Sequence, residues 1–179
     1  MTTHFLGKYE IELKFKIKDI SDFRDILLSL HPEAFVFENN EYDVYYDDEL
    51  ASLHHKNMSM LLRSMSPSGI KLWIVKGPGE RRCEAVNIES FEKAESMLRT
   101  LGYIPIHRVN KTRSIYFLDQ FHITLDYIAT LGHYVEISVM TDDEEALQEL
   151  EEACVQCALR LGLDMDNKEP RSYRQLLGF

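Results

Sequence analysis

Between Lys8 and Lys18 the chain alternates without a break: Tyr9, Ile11, Leu13, Phe15 and Ile17 on one side, Lys8, Glu10, Glu12, Lys14, Lys16 and Lys18 on the other. A period of two marks a strand, because successive side chains of an extended chain point to opposite faces. Two carboxylates two residues apart, followed by an ammonium at the same spacing, supply the groups that hold a divalent cation and a phosphate side by side. The plain alternative is a solvated polar face with cross-strand ion pairs.

Other strand-like segments carry charges where a core strand has none: Arg63, Lys76, Lys111 with Arg113, Asp126 and Glu136. Lys111 and Arg113 share a face by parity. So do His122, Thr124 and Asp126, and so do Tyr134, Glu136 and Ser138, opposite Val135, Ile137 and Val139. Parity is less decisive for Arg63, which alternates in step with Leu61 and Met65, and for Lys76, in step with Ile70, Leu72 and Ile74; those two are expected at strand ends or beside a bulge. With Lys14, Glu10 and Glu12 added, the strands hold five cations and four carboxylates. Burying an ion costs on the order of several kcal/mol unless it finds a partner, so this set is an expensive way to fill a core and a natural lining for a charged guest. Hard oxygen donors favour magnesium or manganese. Arginine adds two-point contacts to phosphate oxygens, and lysine a compact charge.

The elements that must position these groups follow from the patterning. Asp19 to Leu30 reads as a helix capped by Asp19 or Ser21, and Ala34 to Tyr46 as an aromatic-rich strand. Strands are expected at Ser59 to Met65 and Ile70 to Lys76, joined by the turn Ser66-Pro67-Ser68-Gly69, and a short one at Arg82 to Val86. Ser90 to Leu101 reads as a helix with Gly102 past its end. Strands then recur at Ile106 to Leu118, Phe121 to Ile128 and His133 to Met140. An acidic amphipathic helix is expected over Asp142 to Leu161, and one or two helical turns within Pro170 to Leu177. His54-His55 reads as loop.

About eight mainly antiparallel strands with three or four helices predict an α+β fold built on a closed or nearly closed eight-stranded barrel, since a long open sheet leaves edges exposed. The apolar side of the first strand is expected to pack against helices outside the barrel, turning Glu10, Glu12 and Lys14 into a charged lumen.

The 179 residues suit one domain, residues 1–179. At 45% hydrophobic and 28% charged residues the composition is that of a globular protein. The N-terminal residues lack a signal-like basic and apolar run, and no apolar stretch is long enough to span a bilayer, so a cytoplasmic location and no membrane partner are expected. A net charge of −10 disfavours nonspecific nucleic-acid binding, so a polyanion must meet a local cationic pocket. Three cysteines, with Cys154 and Cys157 on a helix, read as reduced, buried thiols.

Glu10-Ile11-Glu12-Leu13-Lys14 resembles the Glu-x-Glu-x-Lys signature of the CYTH superfamily of adenylyl cyclases and thiamine triphosphatases. The N-terminal run from His4-Phe5 to Glu10, the run Leu72 to Pro78 and the tail Glu169 to Phe179 are similar to its class IV adenylyl cyclase branch. The resemblance implies a triphosphate tunnel in a homodimer, with ATP as substrate and Mg2+ or Mn2+ as cofactor. It implies metal binding by Glu10, Glu12, Asp126 and Glu136, with Glu12 and Glu136 foremost. It also implies polyphosphate binding by Lys14, Arg63, Lys76, Lys111 and Arg113, and catalytic roles for Glu10, Glu12, Lys14 and Glu136. Phe5 or the 52–60 segment is expected to enclose the base. The implied reaction is attack of the ATP 3′-hydroxyl on the α-phosphorus with loss of pyrophosphate. The same residues would serve a triphosphatase, in which water attacks the terminal phosphorus of tripolyphosphate, thiamine triphosphate or a nucleoside triphosphate, or, less readily, a noncatalytic nucleotide sensor.

Overall fold

The computed structural model describes residues 3–79 and 81–179. Its frame is one antiparallel sheet of eight strands: β1 (Tyr9–Ile17), β2 (Glu33–Asp47), β3 (Ser59–Ser66), β4 (Lys71–Lys76), β5 (Cys83–Asn87), β6 (Ile104–Leu118), β7 (Phe121–Ile128) and β8 (Gly132–Thr141). Their spatial order is β1-β8-β7-β6-β2-β3-β4-β5. The sheet curls until its two edges meet: the Glu10 amide donates to the Arg81 carbonyl at 2.7 Å, and the Cys83 amide to that of Lys8 at 2.9 Å. The barrel is therefore nearly closed, as the pattern of strands predicts.

Helices cover the outside. Ile11, Leu13 and Phe15 of β1 pack with Ile123, Leu125, Val135 and Ile137 beneath Phe23 and Leu27 of α1 (Ile20–Ser29) and Cys154, Cys157 and Ala158 of α4 (Leu147–Arg160). A second layer sets Leu98 of α3 (Phe91–Thr100) against Val44, Tyr46, Met60 and Leu62. This burial of one strand face by helices is what frees the opposite face to line the lumen. At about 25 cal/mol per Å² of apolar surface, the outer layers rather than the lumen supply the drive to fold.

Three expectations change. His54-His55 is not loop but lies in α2 (Ser52–His55), whose free amides are taken up by carboxylates: Asp47 accepts from Leu53 and His54, and Asp48 from Ser52. The acidic helix starts at Leu147, not Asp142, because Asp143 accepts from the Glu145 amide and holds a local turn instead. Arg63 stands inside β3 rather than at an end or a bulge, whereas Lys76 does end β4. The tail forms α5 (Tyr173–Leu176), closed by a capping box between Ser172 and Gln175. Cys83, Cys154 and Cys157 are free and buried. No helix among the described residues is long and apolar enough to cross a membrane.

Candidate functional site: a tunnel of paired charges

The lumen is a cavity of about 700 Å³ into which β1 turns Glu10, Glu12 and Lys14, β6 turns Lys111 and Arg113, and β8 turns Glu136. Register brings opposite charges face to face. Lys14 is paired with Glu136 across β1 and β8, Arg113 with Asp126 across β6 and β7, Lys111 with Glu41 across β6 and β2, and Arg63 with Asp43 across β3 and β2. Directly opposed residues are the closest side-chain neighbours a sheet offers, so the ladder itself writes the ion pairs.

The result is a continuous network. Lys14 Nζ lies 3.4 Å from Glu12 and 3.3 Å from Glu136. Arg113 donates to Glu136 at 2.5 Å and forks onto Asp126 at 2.6 and 2.5 Å. On the opposite wall Arg63 forks onto Asp43 at 2.7 and 2.8 Å and lies 2.9 Å from Glu41, while Lys111 sits between Glu41 and Asp43, 3.2 Å from the latter. Lys76 and Glu10 form a separate pair at 3.0 Å near the seam. All nine charged residues expected from the sequence thus stand in one network or beside it.

Glu41 and Asp43 are the members that sequence reasoning missed. Both are buried on β2, at 0% and 1% exposure. Their signal was parity with Tyr45, masked because Tyr42, Val44 and Tyr46 make the other face apolar as well. Tyr173 of α5 was missed too: its hydroxyl donates to Asp126 at 2.7 Å, and its ring lies 4.3 Å beneath the Lys14 ammonium. Arg174, beside it, also lines the cavity and covers the Tyr45 ring.

Apolar side chains share the lumen with the charges, beyond the charged lining expected from β1. Phe5, Phe35, Leu61, Met65, Leu72 and Ile74 line it together. Arg63 and Lys76 therefore alternate with apolar neighbours that face the same cavity, the reason parity could not place them. Of the 52–60 segment, Ser59 reaches the lining; Phe5 does so from the opposite side.

Charge balance decides which carboxylates are relieved. Burial opposes ionisation of Glu136, but Arg113 and Lys14 outweigh it and hold its carboxyl well below the usual range; Arg63 and Lys111 do the same for Asp43. Burial would also raise Glu10, which Lys76 pulls down instead. Glu12 goes the other way: burial and the neighbouring Glu136 push it up, and Lys14 offsets only part of this. Burial likewise leaves Asp126 raised despite Arg113. Burial, and then Glu10, push the Cys83 thiol up to about 12, so it stays protonated beside the seam.

Glu12 thus has a single cation, Lys14, within ion-pair distance among the described residues, and it faces the cavity on the same side of β1 as Glu10 and diagonal to Glu136 on β8. Among the described residues no three metal-ligating side chains already converge at binding distance. The donor set nevertheless fits a hard divalent cation: oxygen ligands only, with one carboxylate whose ionised form lacks sufficient positive charge.

Comparison with known proteins agrees with the geometry. The model of the CYTH domain matches residues 8–173. Adenylate cyclase CyaB of Aeromonas hydrophila is 46% identical, the alignment covering 97% of this chain and 91% of that one. A crystal structure of a Vibrio parahaemolyticus protein, 41% identical, superposes with a TM-score of 0.94 over 97% of this chain and all of its own. A Pyrococcus furiosus structure, 28% identical, does so at 0.78 over 93% and 99%. A charged, nearly closed barrel and a match over most of its length agree: this chain belongs to the CYTH domain family.

Proposed function

We propose that residues 1–179 form a class IV adenylyl cyclase that converts ATP to 3′,5′-cyclic AMP and pyrophosphate. The observation that carries this reading is the division of the cavity. A wall of Arg63, Lys111 and Arg113 suits a polyphosphate, the Glu12 and Glu136 side of β1 and β8 suits a metal, and the apolar lining suits a nucleoside. The near-full-length likeness to adenylate cyclase CyaB supports the choice of ATP.

Enzymes of the CYTH family generally depend on a divalent metal. Here Glu12 and Glu136 would hold it, with Glu10 contributing beside them and Asp126 acting from behind through the Arg113 that it orients, and magnesium and manganese are the proposed ions. When bound, such an ion lowers the pKa of the 3′-hydroxyl and neutralises charge on the α-phosphate. The protein's own share is positioning and electrostatics. Lys111, Arg113 and Arg63 stabilise the charge that gathers on the leaving pyrophosphate, and Lys76 with Lys14 neutralise the side nearest β1. Asp126 has both oxygens engaged by Arg113, and one also by Tyr173, so it fixes the guanidinium in place. Glu10 and Lys14 flank Glu12 on the strand and are the groups placed to help move the hydroxyl proton. The working unit is proposed to be a cytoplasmic homodimer.

The test is to incubate the pure protein with ATP and magnesium or manganese from about pH 7 to 10 and separate the products. Cyclic AMP with equimolar pyrophosphate supports the cyclase. ADP with phosphate, or hydrolysis of tripolyphosphate alone, assigns the same tunnel to a triphosphatase, and binding without turnover assigns it to a sensor.

A further inference from the structure

The carboxylate of Glu41 stands among three cations. Its Oε1 faces Arg63 at 2.9 Å, Arg113 at 3.8 Å and the ammonium of Lys111, while neither of its oxygens accepts a well-formed hydrogen bond among the described residues. Asp43, one turn of the pleat away, already binds Arg63 through both of its oxygens and Lys111 through one. Orientation of Arg63 is thus provided by Asp43, and that of Arg113 by Asp126. Glu41 adds charge where position is already set.

We propose that Glu41 is an internal counter-anion of the polyphosphate wall, a specificity-determining residue that keeps the wall neutral until a metal accompanies the polyphosphate. Without it Arg63, Lys111 and Arg113 would face two carboxylates, Asp43 and Asp126, plus a share of Glu136. That surplus of positive charge would attract polyphosphate whether or not metal came with it. With Glu41 present, a highly charged anion entering alone meets a compensated wall. Selectivity for the metal complex and ready release of pyrophosphate both follow, since binding product less tightly raises turnover when release limits the rate.

The inference rests on the reading of the cavity as a polyphosphate site, and the experiment separates the two. Calorimetric titration with tripolyphosphate is run on wild type and Glu41→Gln, with magnesium and again in chelator. The proposal expects wild type to bind only with magnesium, and Glu41→Gln to bind in chelator roughly tenfold or more tightly, as removal of one nearby charge in a partly screened interior implies. In turnover the variant should show a lower KM for ATP and stronger inhibition by pyrophosphate. Wild type that ignores tripolyphosphate even with magnesium would overturn the site itself. Wild type that binds with magnesium while the variant binds equally or more weakly in chelator would overturn only the role of Glu41. If Glu41→Gln does not fold, Glu41→Asp, which keeps the charge, must fold and keep the wild type's requirement for magnesium; chelator-resistant binding there, or loss of fold as well, would end the proposal.

Discussion

Lys14 and Glu136 stand directly opposite each other on β1 and β8, and the ammonium of Lys14 lies between the carboxylates of Glu136, at 3.3 Å, and Glu12, at 3.4 Å. One cation is thereby shared by two anions of unequal comfort. Glu136 has Arg113 as well, whereas Glu12 has no second partner within ion-pair distance among the described residues. The two proposed metal ligands should therefore respond differently to neutralisation.

Glu12→Gln is expected to lower turnover by at least about a hundredfold while leaving the melting temperature unchanged or raised, because ionised Glu12 is disfavoured in the fold. Glu136→Gln should lose activity and also stability, by about 1–3 kcal/mol, since it removes the buried carboxylate that Arg113 and Lys14 share and leaves them Asp126 and Glu12 respectively. Product chromatography and thermal melts check both. Near-normal activity in both variants would place the metal elsewhere.

On the basic wall, Lys111→Ala should weaken triphosphate binding about tenfold or more with a fold kept by the remaining Arg63–Asp43 fork. Arg113→Ala should weaken binding and stability together, because it leaves buried Asp126 without a cation among the described residues and Glu136 with Lys14 alone. Unchanged affinity in Lys111→Ala would remove that wall from the site.

Stability should fall steeply in acid. Asp43 and Glu136 have folded pKa values below their ordinary ones, so the unfolded chain binds more protons. Their contribution is complete above about pH 5 and is lost as pH falls from about 4 toward their depressed values. Glu12 and Asp126, shifted upward, act in the opposite sense and favour the fold as they take up protons. Urea midpoints at constant ionic strength should decline below about pH 4; a rise there would mean that the raised pair dominates.

Tyr173→Phe removes one donor to Asp126 but keeps the ring beneath Lys14. The expected loss is about 1–2 kcal/mol of stability with little change in KM. Tyr173→Ala also removes the ring, and a larger fall in activity than in the Phe variant would separate the two contributions.

Gly77 follows Lys76 at a φ of 85°, and a Cβ there would run into the backbone carbonyl of Asn57. Gly77→Ala should shift Lys76 away from Glu10 and reduce activity without deleting any charge. Full activity would mean that this end of β4 has room to adjust.

How much of this was legible in the sequence depended on how cleanly each strand separates its faces. β1 alternates strictly, so Glu10, Glu12 and Lys14 were assigned to the lumen at once. β2 carries apolar or aromatic residues on both faces and breaks register between Ala34 and Asn39, which hid Glu41 and Asp43. Lys111, Arg113, Asp126 and Glu136 stood out as charges in otherwise apolar strands, but which faces which depends on pairing across β6, β7 and β8. Tyr173 could not be read locally at all: it sits in one turn of helix, and its role comes from where the tail crosses the barrel mouth.

The outer margin of β1 is met at two places by two unrelated pieces of chain. Residues 81–83 bond to its first half, and the tail bonds to its second, where the Glu169 amide donates to the Lys14 carbonyl at 2.8 Å and Lys168 bridges Phe15. A chain shortened before Lys168 would keep the nine charged residues that the sequence points to, though not Tyr173 or Arg174, yet bare the amides and carbonyls beside Lys14. Such a rim is a template for another strand, so loss of the tail would open a route to edge-to-edge aggregation that the intact chain blocks there.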